Sequence, residues 1–240
     1  MAIQIKSECD SGSFCDSCKN SNHPCLSGVN SKDRSMLDEE RNVMNYKNGE
    51  LVFREGTFPS GLFCLRKGNV MITKKDQYNN EVVISLHKEV SFLGIADLFS
   101  EGPYTSDCYA LSDCQICMIK KEQVFNLMDQ NKSFSKNILK EVAGHYHQSN
   151  ERMLNLTKKY MRARIADALY FLVETFGVKE DGKTLNIYLK RKHLGLLSNM
   201  NISNAIRNLS SLQKDGIITI DHKEIIIEDM DRLLTIKDQE

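Results

Sequence analysis

Between Tyr46 and Ile119 the apolar residues recur at every second position in short runs. The stretches ELVFREG, LFCLRKGNVMITKK, EVVISL and CQICMIK each read as half-buried strand, and Gly49, Gly56, Gly61, Gly68 and Gly94 fall where turns belong. DQYNNE, residues 76–81, reads as a hairpin loop. Several short strands at regular spacing predict an antiparallel jelly roll. After Lys120 the period becomes helical. KKEQVFNLMDQN predicts a short helix, and Ser133 to Thr175 holds no Pro and a single interior Gly. Apolar or small residues at Ile138, Val142, Tyr146, Ser149, Met153, Leu156 and Tyr160 step by four or three, close to a heptad seam. A long helix after a completed β-domain has a face left over, so Val142, Tyr146, Ser149, Met153, Leu156 and Tyr160 read as a dimer interface. MRARIADALYFLVETFG then reads as an amphipathic helix ended by Gly177.

The remaining segment changes texture again. TLNIYL predicts a strand, KRKHLGLLSN a helix, MN a turn, and ISNAIRNLSSLQKDG a second helix closed by Gly216. IITIDHKEIIIED follows as a hairpin with Asp221, His222 and Lys223 at its tip. This order predicts a winged helix-turn-helix, whose second helix enters the DNA major groove. The fold class is therefore α+β. The expected divisions are a Cys-rich arm over 1–34, a β-roll over 35–132, a dimerisation helix over 133–160 and a winged helix-turn-helix over 161–240.

Composition narrows the function. The 240 residues are 41% hydrophobic and 27% charged, which is globular. Formal net charge is zero, which argues against coating nucleic acid by bulk charge. The balance is uneven, however: Lys183, Lys190, Arg191, Lys192, Arg207 and Lys214 occupy a stretch without any acid. No apolar run approaches the roughly 20 residues of a membrane helix, and MAIQIKSECD lacks the apolar core of a signal peptide. A cytoplasmic, non-membrane protein with reduced thiols is expected, and there clustered cysteines are metal ligands or redox sensors more often than disulfides. His145 and His147, two apart on the long helix, do not share a face, and no catalytic constellation is apparent. The chain is not expected to be an enzyme.

The cluster in question is CDSCKNSNHPC, Cys15 to Cys25, within a polar arm that also carries Cys9. Alone it fits zinc, with His23 as a further ligand, or an iron–sulfur cluster, or a tail with incidental thiols.

The order of β-roll, long helix and winged helix-turn-helix resembles the CRP/FNR transcription regulators over nearly the whole chain. HLGLLSNMNISNAIRNLSSLQKDGII is similar to their recognition motif without a gap, and Gly49, Gly56 and Gly68 fit their β-roll turns. The resemblance implies a homodimer on a palindromic double-stranded operator, with RNA polymerase as a further partner. Members that bind cyclic nucleotides pair the phosphate with an Arg. Here the Glu position falls near Ile95–Asp97 and the Arg position at Tyr104, and no Lys or Arg lies between Ser91 and Ile119. An unpaired buried phosphate is costly, so a cyclic nucleotide is not the expected ligand. The oxygen-sensing members carry three N-terminal cysteine ligands and a fourth on a β-strand. Cys15, Cys18 and Cys25 match the first three, and Cys117 in ALSDCQICMIKK matches the fourth, which implies a [4Fe-4S] cluster. Zinc is the alternative metal, and a ligand- or haem-responsive regulator of the same fold the alternative function. Cys64, Cys108 and Cys114 read as small buried residues, with Cys114 on the strand face opposite Cys117. His23 then reads as a loop residue beside Pro24.

The resemblance also assigns the DNA contacts. Arg207 takes the guanine-reading position and Ser203 the position of the family's Glu. Ile202 and Asn204 flank Ser203, Asn201 caps the helix, Ile206 suits a thymine methyl, and Lys190, Arg191 and Lys192 meet phosphates. The seam position where oxygen sensors carry an acid is Ser149, so rearrangement within a standing dimer is as open as dissociation.

Overall fold

The computed structural model describes residues 23–38 and 41–238. Cys9, Cys15 and Cys18 lie outside them. A short 3₁₀ turn at Pro24–Leu26 leads to α1 (Ser31–Asp38). The β-roll follows: β1 (Asn42–Tyr46), β2 (Leu51–Phe53), β3 (Gly61–Lys67), β4 (Val70–Lys75), β5 (Glu81–His87), β6 (Ser91–Leu93), a short α2 (Ile95–Phe99), β7 (Asp107–Ala110) and β8 (Cys114–Lys120). Then come α3 (Lys121–Gln130), the long α4 (Lys132–Lys158) and α5 (Met161–Phe176). The C-terminal part holds α6 (Arg191–Leu197), α7 (Ile202–Lys214), β9 (Ile218–Asp221), β10 (Glu224–Ile227) and α8 (Met230–Lys237).

The roll is two four-stranded sheets, ordered β1-β8-β3-β6 and β2-β7-β4-β5, with antiparallel pairs throughout. Strand parity sorts their side chains. On β3 and β8, Phe63, Leu65, Cys114 and Ile116 point between the sheets, where Tyr104 stacks on Phe53 at 4.1 Å between ring centroids. Leu62, Cys64, Cys117 and Ile119 point to the outer face. The 23–38 segment, α3 and the start of α4 cover that face with Leu26, Val29, Leu37, Val124, Phe134 and Ile138. Gly68 makes the β3–β4 turn possible: its φ is 92°, and a Cβ there would lie 2.6 Å from the Asp113 carbonyl oxygen.

Asn131 starts α4 by accepting a bond from the Phe134 N–H at 3.0 Å. The same amide donates from Nδ2 to Asp33 of α1 at 3.0 Å, tying the N-terminal segment to the helix. The long helical pattern breaks at Lys159 and Tyr160, both extended in backbone. No Gly or Pro announces this corner. Tertiary pairing holds it: Lys159 Nζ meets Asp167 of α5 at 2.9 Å. Tyr160 therefore leaves the helix it was expected to end.

TLNIYL is not a strand. Two isolated bridges, Thr184 to Ile226 and Val178 to Leu185, attach it to neighbouring segments, while Leu185 and Leu189 are buried anchors. Thr184 is buried beside Leu185, against simple alternation, and the partner edge pairs the segment at single points only. The C-terminal helices and wing share one core with the β4–β5 hairpin through Met71, Val83 and Leu86. Arg152 of α4 clasps this junction, donating to the Ile84 carbonyl and, at 3.1 Å, to the Leu197 carbonyl. Lys192 at the start of α6 adds a 2.8 Å pair to Glu81 of β5.

Candidate metal centre and nucleic-acid interface

The β3–β8 register sets Cys64 directly opposite Cys117, with Val43 of β1 on Cys117's other side. Cys25, with no exposed surface, packs into the same apolar cluster. The structure thus brings Cys25 and Cys117 to one face and sends Cys114 to the other, as parity requires. Cys64 was read from the sequence as an ordinary buried residue, and its place opposite Cys117 is new. Only the pairing of two distant strands reveals it.

The Cys25 thiol lies 3.7 Å from the Asn137 carbonyl oxygen of α4. Burial, and then the charge of Glu141, push that thiol up to about 12. It stays neutral unless a cation joins it. His23 is not a loose loop residue. It is 3% exposed, its ring stacks on Phe92 at 4.1 Å, and its Nδ1 accepts the Cys25 N–H at 3.1 Å. With Nδ1 accepting, the ring proton sits on Nε2, which faces Glu141 Oε1 at 3.7 Å. His145 Nε2 approaches the same carboxylate oxygen at 3.6 Å. Burial lowers the His23 pKa, against an upward pull from Glu141. His23, Cys25 and Glu141 offer ligand atoms within 4.8 Å of one another. Glu141 was not foreseen, because helical periodicity says nothing about which loop lies against a surface carboxylate.

A cavity of about 480 Å³ lies between the roll, α4 and the C-terminal helices. Gly94, Ile95, Asp97, Thr105 and Ser106 form part of its wall. Tyr104, expected at the position of the phosphate-binding Arg, is instead turned into the roll interior. Thr105 stands on the wall, and both its N–H and its hydroxyl donate to Asp97 at 3.0 Å. The roll's side of the cavity therefore presents an acid where a phosphate needs a cation.

The expected dimer seam runs across two faces of α4. Tyr146 and Met153 are 66% and 60% exposed, and Leu139, 70% exposed, joins their stripe. Val142 packs into the cluster under the arm, while Ser149 and Leu156 line the cavity. Tyr160 is exposed but sits at the corner before α5. Both stripes carry apolar or small residues at heptad spacing, so periodicity alone could not choose between them.

The second helix of the helix-turn-helix, α7, buries Ala205, Leu209 and Leu212 and exposes Ile202, Ser203, Ile206 and Arg207. Asn201 caps it by accepting the Asn204 N–H at 2.8 Å. Asn204 is half-buried. Gly195 of α6 permits the close crossing, since a Cβ there would lie 2.9 Å from the Met200 carbonyl oxygen. Lys190 stands exposed at the residue before α6, without a side-chain capping bond, and Arg191 follows half-buried. Lys192, expected on phosphate, is engaged with Glu81. No described helix is long and apolar enough to cross a membrane.

Residues 43–131 match a family model for the cyclic nucleotide-binding domain, and residues 163–236 match one for the Crp-like helix-turn-helix domain. The fumarate and nitrate reduction regulatory protein of Salmonella typhi is 22% identical over 205 residues, covering 83% of this chain and 82% of that protein. The CRP-like cAMP-activated global transcriptional regulator of Mycobacterium tuberculosis (strain ATCC 25618 / H37Rv) is 20% identical over 207 residues, covering 86% and 92%. The structure of FixK2 from Bradyrhizobium japonicum aligns with a TM-score of 0.74 at 17% identity, over 84% of this chain and 99% of that one. These relatives are regulators, not enzymes. With a β-roll, a long helix and a DNA-binding helix-turn-helix in this order, and both domain families matched, the chain belongs to the CRP/FNR family of DNA-binding transcription regulators.

Proposed function

We propose that this regulator senses oxygen or redox state through a [4Fe-4S] cluster held by Cys15, Cys18, Cys25 and Cys117. The observation that carries the reading is the convergence of Cys25 and Cys117, far apart in sequence, in one buried cluster. The donor set fits: Cys25 and Cys117 share one buried apolar cluster, where burial and then the charge of Glu141 hold the Cys25 thiol neutral, so a metal would displace its proton. When bound, the cluster supplies iron, which holds thiolates and reacts with oxidants. Binding then releases the thiol protons and fixes the arm, so that ligation becomes folding. The arm already touches α4, since Asn137 Nδ2 donates to the Ser27 carbonyl at 2.9 Å and Asn131 holds Asp33. A change at the arm reaches the helix whose exposed Tyr146 and Met153 would meet the second subunit. The homodimer reads a palindrome with Ile202, Ser203, Asn204 and Arg207, positioned by Asn201 and by Lys190, Arg191 and Lys192 on phosphates. RNA polymerase is the further partner. Lys192 reaches a phosphate once its pair with Glu81 opens.

Anaerobic purification with iron and sulfide analysis and an absorption spectrum tests this. A brown protein with near-equal iron and sulfide, lost in Cys117→Ala, is expected. Colourless protein under strict anaerobiosis overturns the cluster.

A second reading takes the arm as a zinc site, with the signal a small effector or haem in the inter-domain cavity. The convergence of His23, Cys25 and Glu141 favours it. Ligation through His23 Nε2 would have to remove the proton that its present hydrogen bonding assigns there. Stoichiometric zinc in colourless protein is the result that selects this reading.

A further inference from the structure

We propose that Cys64 and Cys117 form a reversible cross-strand dithiol, oxidised to a disulfide when the outer face of the roll is uncovered. The two are register partners on antiparallel β3 and β8, and both side chains enter the cluster on that face. Partners of this kind have Cα atoms about 4.5–5.5 Å apart. That lies within the roughly 4.4–6.8 Å that a disulfide spans. Their Cβ atoms are about 4.5–5.5 Å apart, slightly more than the mean of about 3.8 Å in disulfides. Bridging must draw the strands together, and strained bridges are the readily reduced ones, suited to a reversible state. Neither is in a disulfide, and they are 4% and 6% exposed, in the same cluster as Leu26 and Val29 of the arm. Lifting the arm is therefore the step that admits an oxidant. The pair deepens the redox reading of this face but does not depend on the cluster.

The chemistry balances with a peroxide as oxidant. One thiol, as thiolate, attacks the peroxide oxygen, giving a sulfenic acid and releasing water. The second attacks that sulfur, forming the S–S bond and releasing a second water. Two thiols and one hydrogen peroxide become one disulfide and two waters, and a small dithiol reverses the change by exchange.

The test uses the full chain, freed of metal by a chelator and reduced, then treated with hydrogen peroxide. Remaining thiols are alkylated and the peptides mapped by mass. The expected product joins the β3 and β8 peptides through Cys64 and Cys117 and disappears on dithiothreitol treatment. It is absent from Cys64→Ser and retained in Cys108→Ser. Cys64 remaining fully alkylatable, whether Cys117 links to an arm cysteine or stays free, overturns the proposal. If Cys64→Ser fails to fold by circular dichroism, the wild-type map decides alone. Iron and sulfide in anaerobic protein are measured separately. Absent iron with the Cys64–Cys117 link present sinks only the cluster, and iron present without the link sinks only the dithiol.

Discussion

His87 shows how one side chain couples pH to stability. Its Nε2 sits 2.9 Å from the Ser85 hydroxyl, and the His145 ring stands edge-on at 6.0 Å between centroids. Burial first, then the charge of His145, lower its pKa from 6.5 to about 4. The folded state thus favours neutral His87, and the unfolded chain binds the proton more readily. Its contribution is complete above pH ~6.5, erodes as pH falls through the interval to ~4, and is gone below it. Thermal unfolding followed from pH 7 to pH 4 should show a decline in melting temperature that is shallower in His87→Gln. An identical slope in the variant would assign the loss to other groups. Some of these single-residue facts were readable beforehand. Cys114 and Cys117 must face opposite ways because three steps along a strand reverse the side chain. The burial of His23 was not, because its ring rests on Phe92, a residue of a distant strand.

Strands and helices were legible in proportion to how much of their pattern is local. β3, β4, β5 and β8 are short apolar runs bounded by turn residues, a signal that needs no partner, and β3 and β4 are buried at consecutive positions because both their faces are covered. The break between α4 and α5 depends on Lys159 meeting Asp167, and the helix seam depends on which of two apolar stripes the arm and cavity claim. α8, whose Leu233 and Ile236 complete the C-terminal core, was hidden in a charged tail. The crossing of α6 and α7 rests on a local feature with a distant effect. In Gly195→Ala the new methyl would meet the Met200 carbonyl and the Ala205 methyl, at 2.9 and 3.4 Å. A better intrinsic helix former should therefore be worse here. We expect destabilisation of about 1–3 kcal/mol from overpacking, read by denaturant unfolding. A gain in stability, which helix propensity alone predicts at about 1 kcal/mol, would show that the two helices can move apart freely.

The roll and the DNA-binding part are joined by a few polar contacts around a shared core. Arg152 spans from Ile84 to Leu197, and Lys192 pairs with Glu81. Burial raises the Glu81 pKa, but Lys192 first, through its hydrogen bond and charge, and then Thr73 and Lys75 outweigh this and hold it below the usual carboxylate range. In Glu81→Gln the Lys192 ammonium loses its partner and becomes available to phosphate. Binding to a non-specific DNA duplex should tighten, and its salt dependence should steepen by about one unit in the log–log slope. An unchanged slope would mean Lys192 never meets DNA. The sequence could not foretell this pairing, since it joins a hairpin loop's edge to a helix more than a hundred positions on.

Asn131 has a further consequence. Its carbonyl oxygen begins α4 and its amide nitrogen holds Asp33, so one planar group serves two segments. Rotating it away breaks both bonds at once. The first turn of α4 and the arm's grip on it should therefore open as a single cooperative unit, their amide protons exchanging with solvent at a common rate. In kinetic terms the α1 end of the arm does not peel away ahead of the helix: its loosening and the fraying of that turn are one event, while Ser27 stays tied to Asn137.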